Sequence, residues 1–337
     1  MRAVGYDKPQ PISAETSLLD IELPMPEARG HDLLVEIKAV SVNPVDVKVR
    51  ANVAPEPGQT KVLGWDAAGV VKAVGPKVTL FKPGDAVFYA GAINRQGTNA
   101  EFHLVDERIV GRKPSSLDFA AAAALPLTSI TAYEALFDRL DVNAPVPSAA
   151  NAILVVGGAG GVGSIAIQIA RALTDLTVIA TASRPETQQW AKDLGAHHVV
   201  NHAEPLAPQV AALGLGAPAF VFSTTNTGDH LSTIAELIAP QGRLAVIDDP
   251  ATLDIMPFKR KAASVHWEFM FTRPLFETAD MIEQHRLLNQ IADLVDAGRI
   301  RSTLTETMGT INAANLKKAH ALIETGTMKG KAVLAGF

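Results

Sequence analysis

NAILVVGGAGGVGSIAIQIAR, residues 151–171, reads as a strand, a turn and a helix. The apolar run Ile153–Val156 leads into Gly158-x-Gly160-x-x-Gly163, and an apolar segment follows that ends at Gln168 and Arg171. This is the order of a dinucleotide-binding turn. Gly158 is expected to permit the tight turn, Gly160 to let backbone approach a pyrophosphate, and Gly163 to let the helix pack on its own strand. The N–H groups opening that helix, at Gly161 and Val162, then face the phosphates, and the helix dipole favours their charge. A membrane span competes with this reading, because residues 152–170 are nearly uncharged and Gly157-x-x-x-Gly161 resembles a helix-packing motif. Five glycines within residues 157–163 would weaken such a helix, whereas each has a task in a phosphate turn.

The rest of the composition suits a metabolic enzyme. The chain has 337 residues, enough for two domains; 47% are hydrophobic and 19% charged. A net charge of −5 without a basic run gives no reason to expect nucleic acid or a membrane as partner. The first ten residues lack the apolar segment of a secretion signal, so a cytoplasmic location is expected. The chain has no cysteine, which excludes disulfides, thiolate zinc sites and Cys nucleophiles.

Outward from the glycine turn, two regimes appear. Upstream, residues 33–42 and Gly69–Val74 carry β-branched residues between Pro- and Gly-rich turns, predicting a mostly antiparallel, partly closed β domain. FAAAAALPLTSITAYEALFDRL, from Phe119, predicts two helical pieces broken near Pro126. Downstream, strands and helices alternate through GRLAVID, the rhythm of a doubly wound parallel sheet. VHWEFMF predicts a further strand, residues 279–297 and 313–324 two amphipathic helices, and AVLAG a closing strand.

Four stretches carry a resemblance over essentially the whole chain: Ser41-Val42-Asn43-Pro44-Val45-Asp46, Gly64-Trp65-Asp66-Ala67-Ala68-Gly69, Lys82-Pro83-Gly84-Asp85-Ala86-Val87, and the Gly160–Arg171 run. The chain resembles the medium-chain dehydrogenase/reductase superfamily, in its zinc-independent quinone oxidoreductase branch. Residues 88–114 also resemble a bacterial subfamily usually labelled zinc-binding alcohol dehydrogenase. The resemblance implies an α/β fold: a GroES-like partly closed β-barrel domain of residues 1–124 and 274–337, and a Rossmann cofactor domain of residues 125–273. It also implies a homodimer, with edge strands at the interface.

In zinc-dependent relatives a Cys, the His of a Gly-His-Glu motif, and a Cys or acidic residue hold the metal. The resemblance puts Asn43, Trp65 and Leu127 at those places, which form no zinc donor set. His197-His198-x3-His202 falls on a strand pattern, where successive side chains diverge, so no metal is expected there either.

The second Rossmann strand ends Ala182-Ser183-Arg184-Pro185-Glu186. Ser183 stands where an NAD enzyme usually places an acid, and Arg184 beside it suits a 2′-phosphate, so NADPH is the expected cofactor. Arg184 as a plain solvated charge, with Glu186 turned inward, is the competing reading. Ser223 and Thr224 end a strand at its carboxyl edge and are expected at the cofactor.

Without a Lewis acid, hydride transfer suits an activated double bond, and a quinone or α,β-unsaturated carbonyl is the expected substrate. The resemblance places Asn43 beside the substrate carbonyl; a turn residue before Pro44 is the alternative. Asp46 is assigned to the local loop or the nicotinamide ribose region. Tyr89 is either a phenolic donor or core, and Thr128 and Thr131 either approach the nicotinamide or cap a helix. Trp65, Phe269 and Phe271 are candidates for an apolar pocket. A zinc-type alcohol dehydrogenase, and an NADPH-binding sensor of low turnover, stand as alternative functions.

Overall fold

The computed structural model describes residues 1–337. The chain divides into two compact units, Met1–Ile130 with Phe271–Phe337, and Thr131–Met270. The divisions fall six residues after, and three before, the boundaries expected from sequence. The first lies inside helix Pro126–Tyr133, where no break in pattern marks it.

In the second unit six strands form one parallel sheet. Numbered in chain order they lie 3-2-1-4-5-6: His198–Val200, Thr177–Thr181, Ala150–Val156, Pro218–Ser223, Arg243–Val246 and Ser264–Trp267. The order reverses beside the first strand, which creates a crevice at the carboxyl ends where dinucleotides bind in such sheets. Leu154, Val156, Val221, Ile234 and Leu244 are packed into one core, as expected for strands covered on both faces. The sixth strand is shorter than VHWEFMF suggested, because the ladder ends at Trp267.

The glycine turn differs in one respect from its sequence reading. The left-handed residue is Gly157, at φ +81°, not Gly158. A side chain on Gly158 would instead meet the Ala180 Cβ at 2.8 Å. Gly163 is the most constrained: a Cβ there would lie 2.2 Å from the Gly157 carbonyl oxygen and 2.7 Å from the Gly158 Cα. Around Gly160 the nearest such atom is 3.6 Å away, so that face of the turn is open. Helix Gly161–Leu173 starts from Gly160 as its N-cap, with Gly161 and Val162 in its first turn.

The first unit holds a sheet ordered Leu304–Thr307, Lys331–Ala335, Asp32–Ser41, Ala67–Val74, Ala86–Tyr89 and Val110–Arg112, with Phe102–Asp106 also paired to Asp32–Ser41. It is antiparallel except for the Leu304–Thr307 and Lys331–Ala335 pair. Of the two downstream helices, the second spans Ala313–Glu324 as expected, whereas the first begins only at Glu283. Glu277, in the left-handed region at φ +46°, ends the short helix Thr272–Phe276 before it. The piece after Pro126 continues as a π-helix, Glu134–Arg139, and Arg139 Nε donates to the buried Glu268 at 2.9 Å. The stretch Phe119–Arg139 is long and apolar enough to cross a membrane, but most of it is buried inside the protein.

Gly163→Ala is expected to cost about 1–3 kcal/mol, because the new methyl collides with backbone that cannot retreat. Gly160→Ala is expected to leave unfolding unchanged and to weaken nucleotide binding. Thermal unfolding and nucleotide titration of both variants check this; equal stability loss at the two positions would contradict it.

Candidate functional site

At the carboxyl edge of the parallel sheet, local geometry determines which groups face outward. The Gly157 N–H donates to Thr181 Oγ1 at 3.0 Å, and Gly158 N–H to the Thr181 carbonyl at 3.0 Å, which ties the turn to the second strand. Thr181 Oγ1 also meets His202 Nδ1 at 2.9 Å. His197 turns elsewhere, its Nδ1 accepting from Val178 N–H at 2.9 Å, so the histidines of residues 197–202 do not converge. No group of three or more His, Cys, Asp or Glu side chains converges as a metal shell.

Ser183 and Arg184 follow the second strand, and Arg184 caps helix Pro185–Asp193. Its Nε pairs with Glu186 Oε1 at 2.9 Å, and both side chains are exposed to solvent. Glu186 therefore faces Arg184, not inward. The other two expected cofactor contacts have internal partners. The Ser223 hydroxyl is buried against Thr227 Oγ1 at 2.7 Å, which in turn bonds Asp248. Thr224 Oγ1 donates to the Val156 carbonyl at 2.7 Å. A side chain on Gly157 would strike that Thr224 hydroxyl at 2.5 Å, so Thr224 packs the turn from behind. Ser223 thus holds its place through a buried hydroxyl chain.

In the first unit, a buried polar cluster gathers residues far apart in sequence. The Val333–Ser41 pairing, continued by two residues, sets Lys331 opposite Asn43. The Ala67–Val40 pairing likewise carries Asp66 to Ser41, whose N–H donates to the Asp66 carbonyl at 3.1 Å. Asn43, only 1% exposed, donates through Nδ2 to Asp66 Oδ2 at 2.9 Å, and its Oδ1 accepts from Lys331 Nζ. Lys331 Nζ also donates to the Val42 carbonyl at 3.0 Å and pairs with Asp66 Oδ2 at 3.1 Å. Asp66 Oδ1 accepts from Leu127 N–H at 2.8 Å. The three positions where the resemblance implies metal ligands, Asn43, Trp65 and Leu127, are thus brought together through Asp66. An amide, an indole and an aliphatic side chain do not fit zinc.

Trp65 is buried, its Nε1 donates to the Ala92 carbonyl at 3.3 Å, and its ring meets Phe271 edge-on at 6.1 Å. Phe269 is 47% exposed and lies beyond the end of the sixth strand, in the other unit. Tyr89 is fully buried, and its hydroxyl meets His103 Nδ1 at 3.1 Å. His103 Nε2 donates to the Gln96 carbonyl at 2.8 Å, leaving Nδ1 to accept the phenol proton. Burial pushes His103 down to about 4, so the imidazole is neutral. Tyr89 thus packs as a core residue, the alternative its strand position leaves open. The Asn43 amide is held by Asp66 and Lys331. Thr128 Oγ1 donates to the Leu125 carbonyl at 3.1 Å, and Thr131 lies buried on the same helix.

Asp46 closes a capping box, its Oδ2 accepting from Asn43 N–H at 2.8 Å. Its Oδ1 has no partner, and burial raises the carboxyl from the ordinary 3.8 to about 7. A folded-state value above the unfolded one gives stability that is present at low pH and lost as pH rises towards 7. Asp46→Asn is therefore expected to remove about 2–3 kcal/mol of the stability difference between pH 5 and pH 8. Urea unfolding of both proteins at the two values checks it, and parallel pH profiles would contradict it.

Comparison with known proteins identifies the family. The profile of the alcohol dehydrogenase GroES-like domain matches residues 29–115, and that of the zinc-binding dehydrogenase family matches residues 161–283. A zinc-type alcohol dehydrogenase-like protein of Staphylococcus aureus (strain MSSA476) is 41% identical over 99% of both chains. The quinone oxidoreductase of Homo sapiens is 34% identical, over 71% of this chain and 70% of that protein. A crystal structure from Rhizobium etli CFN 42, provisionally designated a zinc-dependent alcohol dehydrogenase, is 71% identical over 100% of this chain and 98% of that one, with a TM-score of 0.99. With a GroES-like unit, a dinucleotide-binding unit and these relatives, the chain belongs to the medium-chain dehydrogenase/reductase superfamily, in its quinone oxidoreductase-like branch, and is an oxidoreductase.

Proposed function

We propose that this oxidoreductase uses NADPH to deliver hydride to a quinone or an α,β-unsaturated carbonyl without a catalytic metal. The observation that carries the reading is the donor set around Asp66, where Asn43, Trp65 and Leu127 replace a zinc shell by groups that cannot hold the ion. Alcohol oxidation then lacks its Lewis acid, whereas a conjugated acceptor spreads the arriving charge over its own oxygen. A hydroquinone anion takes its proton from water, so the commitment of Asn43 and Tyr89 elsewhere does not block the reaction. The similarity to human quinone oxidoreductase supports the same substrate class.

The absence of an acid at Ser183 and the exposed guanidinium of Arg184 support NADPH over NADH, with Glu186 as the carboxylate that a 2′-phosphate would displace from Arg184. A cytoplasmic location is proposed as well. We also propose a homodimer through the sixth strand, an unpaired sheet edge on which Trp267 is 56% exposed.

NADPH oxidation is measured with 1,4-benzoquinone, 9,10-phenanthrenequinone, an alkenal and a simple ketone, with and without EDTA. Turnover of quinones or the alkenal, unaffected by EDTA and absent with the ketone, is expected, with a KM for NADPH at least tenfold below that for NADH. Zinc-restored alcohol oxidation, or saturable NADPH binding without turnover, would replace the proposal by a dehydrogenase or a sensor. Light scattering is expected to give twice the chain mass, and Trp267→Asp to halve it; a monomeric wild type would overturn the interface.

A further inference from the structure

An ammonium has three protons to donate, and those of Lys331 are all used within the protein: on the Val42 carbonyl, on Asn43 Oδ1 and on Asp66 Oδ2. The side chain is 4% exposed and that of Asp66 is fully buried. This shell of backbone carbonyl, amide oxygen and carboxylate is that of a small hard cation, with the cation supplied by the chain. Asp66 shares itself between three segments: Lys331 on one strand, Asn43 before helix Pro44–Asn52, and Leu127 at the start of helix Pro126–Tyr133. Trp65, next in the chain, presents its ring to Phe271 from the turn thus anchored.

We infer that Lys331 is the resident cation of this polar cluster, a positioning residue that orients the Asn43 amide and anchors the Trp65–Asp66 turn. The inference deepens the metal-free reductase reading and rests on it for its kinetic consequence. With the lysine removed, Asp66 Oδ2, Asn43 Oδ1 and the Val42 carbonyl lose their shared partner, and the turn carrying Trp65 loses an anchor.

The test is Lys331→Ala in the full-length protein, with and without n-propylammonium, which restores the lost atoms, and with tetramethylammonium at equal ionic strength as control. The variant is expected to unfold at a lower temperature and to show at least a tenfold higher KM for 1,4-benzoquinone, with kcat within threefold of wild type. Propylammonium is expected to restore at least half of both losses, and tetramethylammonium neither. Equal effects of the two amines, or a Lys331→Met variant matching wild type in both readouts, would overturn the inference. Should Lys331→Ala not fold, Lys331→Met is compared with Lys331→Met plus Asp66→Asn. The double variant is expected to unfold at the higher temperature, because it removes the stranded carboxylate; an equal or lower midpoint would overturn the inference. A wild type without quinone turnover would remove the reductase reading, while rescue of unfolding by propylammonium still decides the role of Lys331.

Discussion

A carboxylate and an ammonium taken out of water must find each other, and in the GroES-like unit that requirement fixes where four distant segments go. Breaking such a pair by removing one partner typically costs about 3–5 kcal/mol, since the remaining charge has nowhere to turn. Asp66 and Lys331 are both buried, so neither can be satisfied unless the strand bearing Lys331 pairs in register with the strand ending at Ser41. A slip of one residue would turn Lys331 to the opposite face and strand Asp66. The pair therefore specifies the register as well as drawing on it. Leu127 N–H and the Asn43 amide complete the shell, and their bonds aim the start of one helix and the N-cap of another.

In the cofactor unit the governing constraint is steric and local. The Gly163 Cα and the Gly157 carbonyl approach so closely that the helix is seated on the turn, and Thr224 and Thr181 hold the turn from behind and from the side. Only the Gly160 face is left open. The crevice thus comes from backbone packing, with its polar side chains mostly serving the scaffold. Ser223 illustrates this, buried in a hydroxyl chain to Thr227 and Asp248 at the edge where a ligand contact was expected.

This difference between local and distant constraint explains what was legible in the sequence. The glycine turn, the strand–helix rhythm and the break at Pro126 are signals within about twenty residues, and the observed sheet follows them. Sequence places the tight turn at Gly158, one residue after the left-handed Gly157, because adjacent glycines are equivalent until the strand end is located. Asn43 and Trp65 stand out by their motifs, but Asp66 is only one member of its motif, and Lys331, 288 residues from Asn43, carries no local signal. A buried lysine shows in a sequence only when its carboxylate is known. Tyr89 was ambiguous for a related reason: a tyrosine in a strand reads alike whether its hydroxyl meets a substrate or, as here, His103.

The nature of the cation limits the chemistry that the surrounding shell can support. A zinc ion with three protein ligands keeps a fourth position open and can draw electron density from a substrate oxygen bound there. Lys331 has no counterpart to that open position, because each of its protons already rests on a protein oxygen. It can hold the shell together, as a structural ion would, yet it cannot polarise a carbonyl. Under the proposed function, the substrate accommodates the incoming charge within its own π system. Quinones and enones do so, whereas an isolated ketone leaves the full charge on one oxygen. A covalently held ammonium thus keeps the shell together, and under the proposed metal-free reading it favours acceptors that carry the charge themselves.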